Sequence, residues 1–205
     1  VKTVYSSGYF TQLREGTMGD IPSTFIDVIA YPDKERTEFK QGGGKMVQTN
    51  FGDKGWLFDG GTGNIRDQKQ PEVENFKRGL RTSIDGFLRG LWRSQGATLS
   101  YAGRREAGLG KRNEVLKLVY SDGFTVEHEF SVTDGFPMKT LYNSKGGDDA
   151  ETKEEDRYAQ FVDVQGVMMP FIIDHFVNGK QTSRINYQSI ELNKNVPNSI
   201  FDKPS

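Results

Sequence analysis

The stretch Val115-Leu116-Lys117-Leu118-Val119-Tyr120-Ser121-Asp122-Gly123-Phe124-Thr125-Val126-Glu127-His128-Glu129-Phe130-Ser131-Val132 decides the fold class. Two runs rich in β-branched and aromatic residues flank Asp122-Gly123, a dipeptide that accepts the positive φ of a two-residue hairpin turn. Asp134-Gly135 repeats the signal and leads into Met138–Tyr142. Asn178-Gly179 repeats it again between Met168–Val177 and Thr182–Leu192, and Gln165-Gly166 joins Tyr158–Val164 to Met168–Val177. Consecutive hairpins of this kind make an antiparallel meander, in which each strand pairs with the next.

Working upstream, Thr24–Tyr31 is largely apolar and ends at the Pro32-Asp33 turn. Lys34–Gln41 and Lys45–Phe51 flank Gly42-Gly43-Gly44, which is read as a tight strand reversal. A phosphate-gripping loop would need the GxxxxGK[ST] spacing and a following helix, and neither is present. Gly52-Asp53 then leads to a short strand at Trp56-Leu57-Phe58, and the chain opens at Val1 already in strand-like sequence.

One segment breaks the β pattern. Between Pro71 and Arg93 the apolar residues Val73, Phe76, Leu80, Ile84, Phe87, Leu88, Leu91 and Trp92 fall within an arc of roughly 160° at helical spacing. Pro71 suits a first helical turn and Gly96 suits an end. Gly79, Gly86 and Gly90 lie on one strip beside the apolar face, and that placement predicts close backbone packing against a sheet. Lys77, Arg78, Arg81, Arg89 and Arg93 cover the polar side, as a solvated face or one that meets anionic head groups.

At 205 residues the chain is read as one domain, 1–205, able to bury about 70% of its unfolded surface. Basic and acidic residues nearly cancel, 27 against 28, which argues against a nucleic-acid binder. There is no cysteine, so disulfides and thiolate chemistry are excluded. No apolar run reaches the roughly 20 residues of a membrane span. The two histidines, His128 and His175, stand in strand sequence without HxxxH or HExxH spacing, and no G-x-S-x-G elbow is present. Gly108-Leu109-Gly110-Lys111 lacks the remaining residues of a phosphate loop. The acidic run between Lys145 and Asp156 reads as a solvated loop. No catalytic residue, metal ligand or cofactor is expected. Aromatic residues make 12% of the chain against 34% apolar in total, and 24 glycines supply many turns. A curved sheet around one helix leaves an apolar gap between them.

The order of landmarks resembles a known family. These are Tyr31-Pro32-Asp33-Lys34, Arg36, Glu38, Val47–Phe51, Gly52-Asp53-Lys54-Gly55-Trp56, Asp156–Val164, Gly166-Val167-Met168-Met169-Pro170-Phe171, Ile190-Glu191-Leu192-Asn193, Val196-Pro197 and Ser199-Ile200-Phe201. Spanning nearly the whole chain, they are similar to the outer-membrane lipoprotein-sorting protein family, the LolA-like superfamily of periplasmic carriers. The resemblance implies a mostly β (α+β) fold: a strongly curved antiparallel sheet of about eleven strands forming an incomplete half-barrel, covered by helix 71–93. It also implies an amino-terminal helix or targeting segment before Val1, and a periplasmic or outer-membrane-associated location. The implied function is non-catalytic binding of a lipid or lipoprotein acyl chain between concave sheet and lid, with a lipoprotein or an envelope transport complex as partner. The residues expected to line that space are Phe25, Ile29, Tyr31, Phe39, Trp56, Phe76, Leu80, Ile84, Phe87 and Leu91. Tyr31 stands where the carriers have arginine, and Glu35 and Thr37 stand at inward positions where they present aromatics, which points to a different apolar ligand. The alternative is a protein-interaction or stress-sensor domain whose groove is filled by its own helix.

Overall fold

A computed structural model describes residues 1–13, 22–145 and 151–204. Its strands are β1 (Thr3–Gln12), β2 (Ser23–Ala30), β3 (Lys34–Gln41), β4 (Gly44–Phe51), β5 (Lys54–Asp59) and β6 (Asn64–Asp67), then β7 (Thr98–Gly108), β8 (Lys111–Val119), β9 (Thr125–Ser131), β10 (Pro137–Lys145), β11 (Glu151–Val164), β12 (Val167–Val177) and β13 (Lys180–Leu192). Three helices, α1 (Gln70–Thr82), α2 (Ile84–Arg89) and α3 (Leu91–Ser94), separate β6 from β7, and a 3-10 turn, Asn198–Phe201, ends the chain. The strand order is β6-β5-β4-β3-β2-β1-β13-β12-β11-β10-β9-β8-β7, an open antiparallel sheet whose two ends are not joined. The mostly-β, unclosed antiparallel architecture read from the hairpins is therefore present, with thirteen strands where about eleven were expected.

The chain forms two compact units. One contains Val1–Arg78, Gln160–Ile172 and Ser183–Ser205; the other contains Gly79–Ala159 and Ile173–Thr182. In the first, Val4, Val164, Ile190 and Leu192 form a buried core, with Ile29, Tyr31, Met169, Phe171 and Tyr187 packed on it. In the second, Leu118, Tyr120 and Val126 are buried beneath Phe87, Trp92, Phe124 and Tyr142. Leu118 and Val126 sit directly opposite each other on β8 and β9, so both units use cross-strand apolar pairs.

The turns behave as their chemistry requires. Gly42 and Gly43 both take positive φ, +56° and +84°, so that Gln41 pairs with Gly44 across a two-residue reversal. The single helix expected over 71–93 is instead three pieces. Ser83 ends the first run and caps the second, its hydroxyl accepting from the Gly86 amide at 2.9 Å. Gly90 then adopts φ +74° and closes α2. The glycine strip does not mark packing against a sheet. A Cβ at Gly79 would meet open space, and one at Gly86 would meet the Leu80 carbonyl and Ser83 hydroxyl of the preceding turn.

Strands β6 and β7 carry no clear signal in the sequence. Every residue of β6, and all but one of β7, is exposed, so neither strand shows the period-2 alternation of a half-buried strand. Both are edge strands, where charged side chains such as Arg104, Arg105 and Glu106 blunt pairing with other chains. The acidic positions Asp148 and Asp149 lie outside the described residues, whereas Glu151, Glu154, Glu155 and Asp156 belong to strand β11.

Candidate functional site

Cross-strand register assigns the side chains of the first unit to two faces. Phe25 pairs with Phe39, Asp27 with Thr37 and Ile29 with Glu35 between β2 and β3. The same rows continue onto β4 as Met46, Gln48 and Asn50, and onto β1 as Gly8, Ser6 and Val4. Directly opposite residues point to the same side of a sheet. One face therefore carries an aromatic row, a polar row and an acceptor-bearing row, side by side.

The aromatic row holds two sets of edge-on rings. Phe10 meets Phe39 at 5.8 Å, Phe25 meets Tyr187 at 5.7 Å, and Tyr187 meets Phe171 at 6.4 Å, each with steeply inclined planes. Only Phe25 of these is fully buried. Ile29 and Tyr31 continue the apolar surface onto the Val4 core.

The polar rows interrupt that surface. Asp27, 8% exposed, accepts a hydrogen bond from Thr37 Oγ1 at 2.7 Å. Burial pushes its carboxyl above the usual range, and burial together with the Asp27 charge pushes Glu35 up further. Asn50, directly across from Glu35, is 3% exposed, and its Oδ1 has no partner among the described residues. Gly55 faces Asn50 on the next strand, and the Gln68 amide lies in the space a Cβ at Gly55 would need. Gln68 Nε2 donates to the Thr49 carbonyl at 3.3 Å, which leaves Oε1 as a buried acceptor without a donor.

Six of the ten residues expected to line a ligand space belong to this unit. Phe25, Ile29, Tyr31 and Phe39 share its aromatic face. Trp56 does not: it pairs with Thr49, which belongs to the opposite row, and its indole Nε1 donates to the Phe201 carbonyl at 2.9 Å. The terminal 3-10 turn caps that other face, and Arg36 donates to the Ile200 carbonyl from the same side. Phe76 is buried in α1 beside Val73.

Leu80, Ile84, Phe87 and Leu91 belong to the second unit. Ile84 is buried, and Leu80 and Leu91 are half-buried. Phe87 stacks against His128 at 4.4 Å and lies 5.7 Å from Phe130. His128 is fully buried and driven down to about 3 by desolvation, so its imidazole is neutral. Its Nδ1 meets Thr140 Oγ1 at 2.9 Å, which in turn meets the Tyr158 hydroxyl at 2.8 Å. Its strand neighbours Glu127 and Glu129 point the other way, onto Arg105 at 2.7 Å each. His175 lies between Asp156, 2.7 Å away, and Glu154, 3.4 Å away, and those hydrogen bonds raise it to about 9. Both of its ring nitrogens are thus engaged by carboxylates, and Ser144 donates to Glu154 rather than to an imidazole. Among the described residues no hydroxyl contacts the His175 ring. Among the described residues no group of three or more His, Asp or Glu side chains could hold a metal, and no helix is long and apolar enough to cross a membrane.

Sequence reading missed Phe10, Phe171, Tyr187, Asp27, Asn50 and Gln68 on the aromatic and polar face. Asp27 was detectable, because it lies two residues from both Phe25 and Ile29 on one strand. The others need the strand pairing to be known.

No family model and no curated protein matches this sequence. Solved structures do. An outer-membrane lipoprotein-sorting protein domain from Vibrio parahaemolyticus aligns with TM-score 0.63 at 9% identity, covering 98% of this chain and 89% of that one. A DUF1329 family protein from Desulfovibrio piger aligns with TM-score 0.67 at 9% identity, over 98% and 90% of the two chains. A LolA superfamily protein from Nitrosomonas europaea aligns with TM-score 0.65 at 12% identity, again over 98% and 90%. At such identities the likeness is one of fold, and it extends over nearly the full length of both partners. The chain therefore shares its fold with an outer-membrane lipoprotein-sorting protein domain, a DUF1329 family protein and a LolA superfamily protein.

Proposed function

We propose that this chain is a non-catalytic binding protein of the bacterial envelope, periplasmic or outer-membrane associated, that holds the acyl chain of a lipid or lipoprotein. The observation that carries the reading is the aromatic row Phe10, Phe39, Phe25, Tyr187 and Phe171 on one face of one unit, only one member of which is fully buried. A face of this kind gains about 0.8 kcal/mol for each methylene it takes from water. The likeness in fold to a domain named for outer-membrane lipoprotein sorting and to a LolA superfamily protein supports the same reading. Phe25, Ile29, Tyr31 and Phe39 are the proposed contacts on this face. Trp56, opposed to Thr49 on the other face, is not among the proposed contacts.

Displacement of a fluorescent fatty acid tests the proposal, together with native mass spectrometry after gentle purification. Retained lipid and probe uptake weakened by Phe39→Ala are expected. No lipid and no uptake by the native chain would reject it. A protein-interaction or sensor domain is the second reading, favoured by one observation: Phe87 already stacks on His128 and Phe130 within its own unit. That reading expects no probe uptake at all.

A further inference from the structure

The acceptor-bearing row of the first unit has a surplus of one kind of group. Glu35, Asn50 Oδ1 and Gln68 Oε1 occupy successive positions across β3, β4 and the residue covering Gly55, and Asp27 stands diagonally from Glu35 on β2. Neighbouring strands are about 4.8 Å apart, so one small group can reach several of these oxygens. The Gln68 oxygen is identified by its own amide nitrogen, which is spent on the Thr49 carbonyl. Asn50 and Gln68 each leave a buried oxygen without a donor among the described residues, which is costly to bury unpaired. Two nearby cations are committed elsewhere. Arg66 forms a bidentate pair with Glu72 at 2.6 and 2.8 Å, and Lys77 pairs with Asp53 at 2.6 Å. Among the described residues two carboxylates belong to the cluster, and no group of three or more His, Asp or Glu side chains could hold a metal.

From this geometry we infer that Asp27, Glu35, Asn50 and Gln68 form a binding site for a primary ammonium group. Three N–H donors on one charged centre match two orphaned amide oxygens and a carboxylate, in charge-assisted hydrogen bonds that a quaternary ammonium cannot make. The aromatic row lies two to four residues along the same strands, roughly 7–14 Å away, so an amine carrying an alkyl chain could occupy both. This deepens the acyl-binding reading for amphiphilic ligands, but the ammonium site stands without it. A lipid ethanolamine head group and a free polyamine share the required chemistry.

Calorimetric titration of the full chain at pH 7 distinguishes the possibilities, with octylammonium, octyltrimethylammonium, octanol and putrescine as probes. Octylammonium is expected to bind at least about tenfold more tightly than octyltrimethylammonium or octanol. Glu35→Gln, Asp27→Asn and Asn50→Leu should each reduce that binding by about tenfold and leave octanol within about twofold. Equal binding of the three octyl probes would overturn the ammonium site while leaving the acyl reading intact. Putrescine binding without octanol binding would keep the site and remove the acyl reading. Failure of both amines to bind overturns the inference. Native mass spectrometry after incubation with mixed phosphatidylethanolamine and phosphatidylcholine vesicles separates the sources: selective uptake of the ethanolamine lipid assigns a head group, and putrescine binding without uptake assigns a free amine.

Discussion

Trp56 and Phe201, 145 residues apart in sequence, are joined by a 2.9 Å hydrogen bond from the indole Nε1 to a backbone carbonyl. Both side chains are buried, at 3% exposure each. This contact fixes the carboxyl-terminal turn to the face of β5 that points away from the aromatic row. Trp56→Phe should cost about 1–3 kcal/mol, since it orphans the carbonyl, and Phe201→Ala about 3–5 kcal/mol, since it empties a packed position. Urea unfolding measures both. Fluorescent fatty-acid affinity should stay within about twofold in Trp56→Phe, because the proposed site lies on the other face; a larger loss would contradict the assignment of faces.

His175 gives the second unit a pH signature. Its hydrogen bonds to Asp156 and Glu154 raise its pKa from 6.5 to about 9, and the hydrogen bond from His175 leads those that lower Glu154 from 4.5 to about 2. A raised histidine stabilises fully below its unfolded pKa and loses that stability as pH climbs through the folded one. A lowered carboxyl does the reverse, losing its contribution as pH falls from 4.5 toward 2. The pair therefore stabilises most between about pH 4.5 and 6.5. His175→Asn should lower stability there by on the order of 1–2 kcal/mol, and converge on the native chain near pH 9 and above. A wild-type minus variant profile that stays flat from pH 5 to 10 would rule the coupling out.

Hairpins were legible because Gly123, Gly135 and Gly179 take positive φ between paired strands. Of the three expected two-residue turns, Asn178-Gly179 alone forms one: β8 ends at Val119 with β9 starting at Thr125, and β9 ends at Ser131 with β10 starting at Pro137. Phe25 and Ile29 were recoverable as a pair because residue parity along β2 assigns a face, and Phe39 joins them through the register across the Pro32-Asp33 turn. Trp56 shows where that logic stops. Its face depends on the register across the Gly52-Asp53 turn, which opposes it to Thr49, and one residue of slippage would reverse it. Strands β6 and β7 were invisible because both of their faces meet water. The acceptor cluster was hidden for another reason: Gln68 lies outside every strand, and it matters only because Gly55 leaves room for it.

Gly8 marks a close approach that a side chain would break. It sits at the register shift between β1 and β13, where a Cβ would meet the Asn186 carbonyl oxygen and come within 2.9 Å of the Tyr187 Cα. Those are backbone atoms, so relief requires a strand to move rather than a rotamer to turn. Gly8→Ala should destabilise by about 1–3 kcal/mol in urea unfolding. It should also weaken fatty-acid probe binding, because Tyr187 carries the ring that links Phe25 to Phe171. Unchanged stability would show that the two strands are further apart at this point.

Glu35 gives the first unit a pH dependence that one substitution can isolate. Burial, aided by the Asp27 charge, raises Glu35 from 4.5 to about 8, and burial raises Asp27 from 3.8 to about 6. The folded chain then holds protons that the unfolded chain has released, so stability falls as pH rises across this interval. The contribution is whole below about pH 4 and exhausted above about pH 8. Glu35→Gln keeps the shape and cannot ionise. At pH 4 it should unfold within about 0.5 kcal/mol of the native chain, and at pH 8.5 it should be the more stable of the two by on the order of a few kcal/mol. An ammonium ligand at this site would favour the ionised carboxyl and recover part of that loss in the native chain alone. Urea unfolding at pH 4, 6 and 8.5, with and without octylammonium, reads all of these differences. A native chain more stable than Glu35→Gln at pH 8.5 without ligand would mean that Glu35 is ionised and already paired.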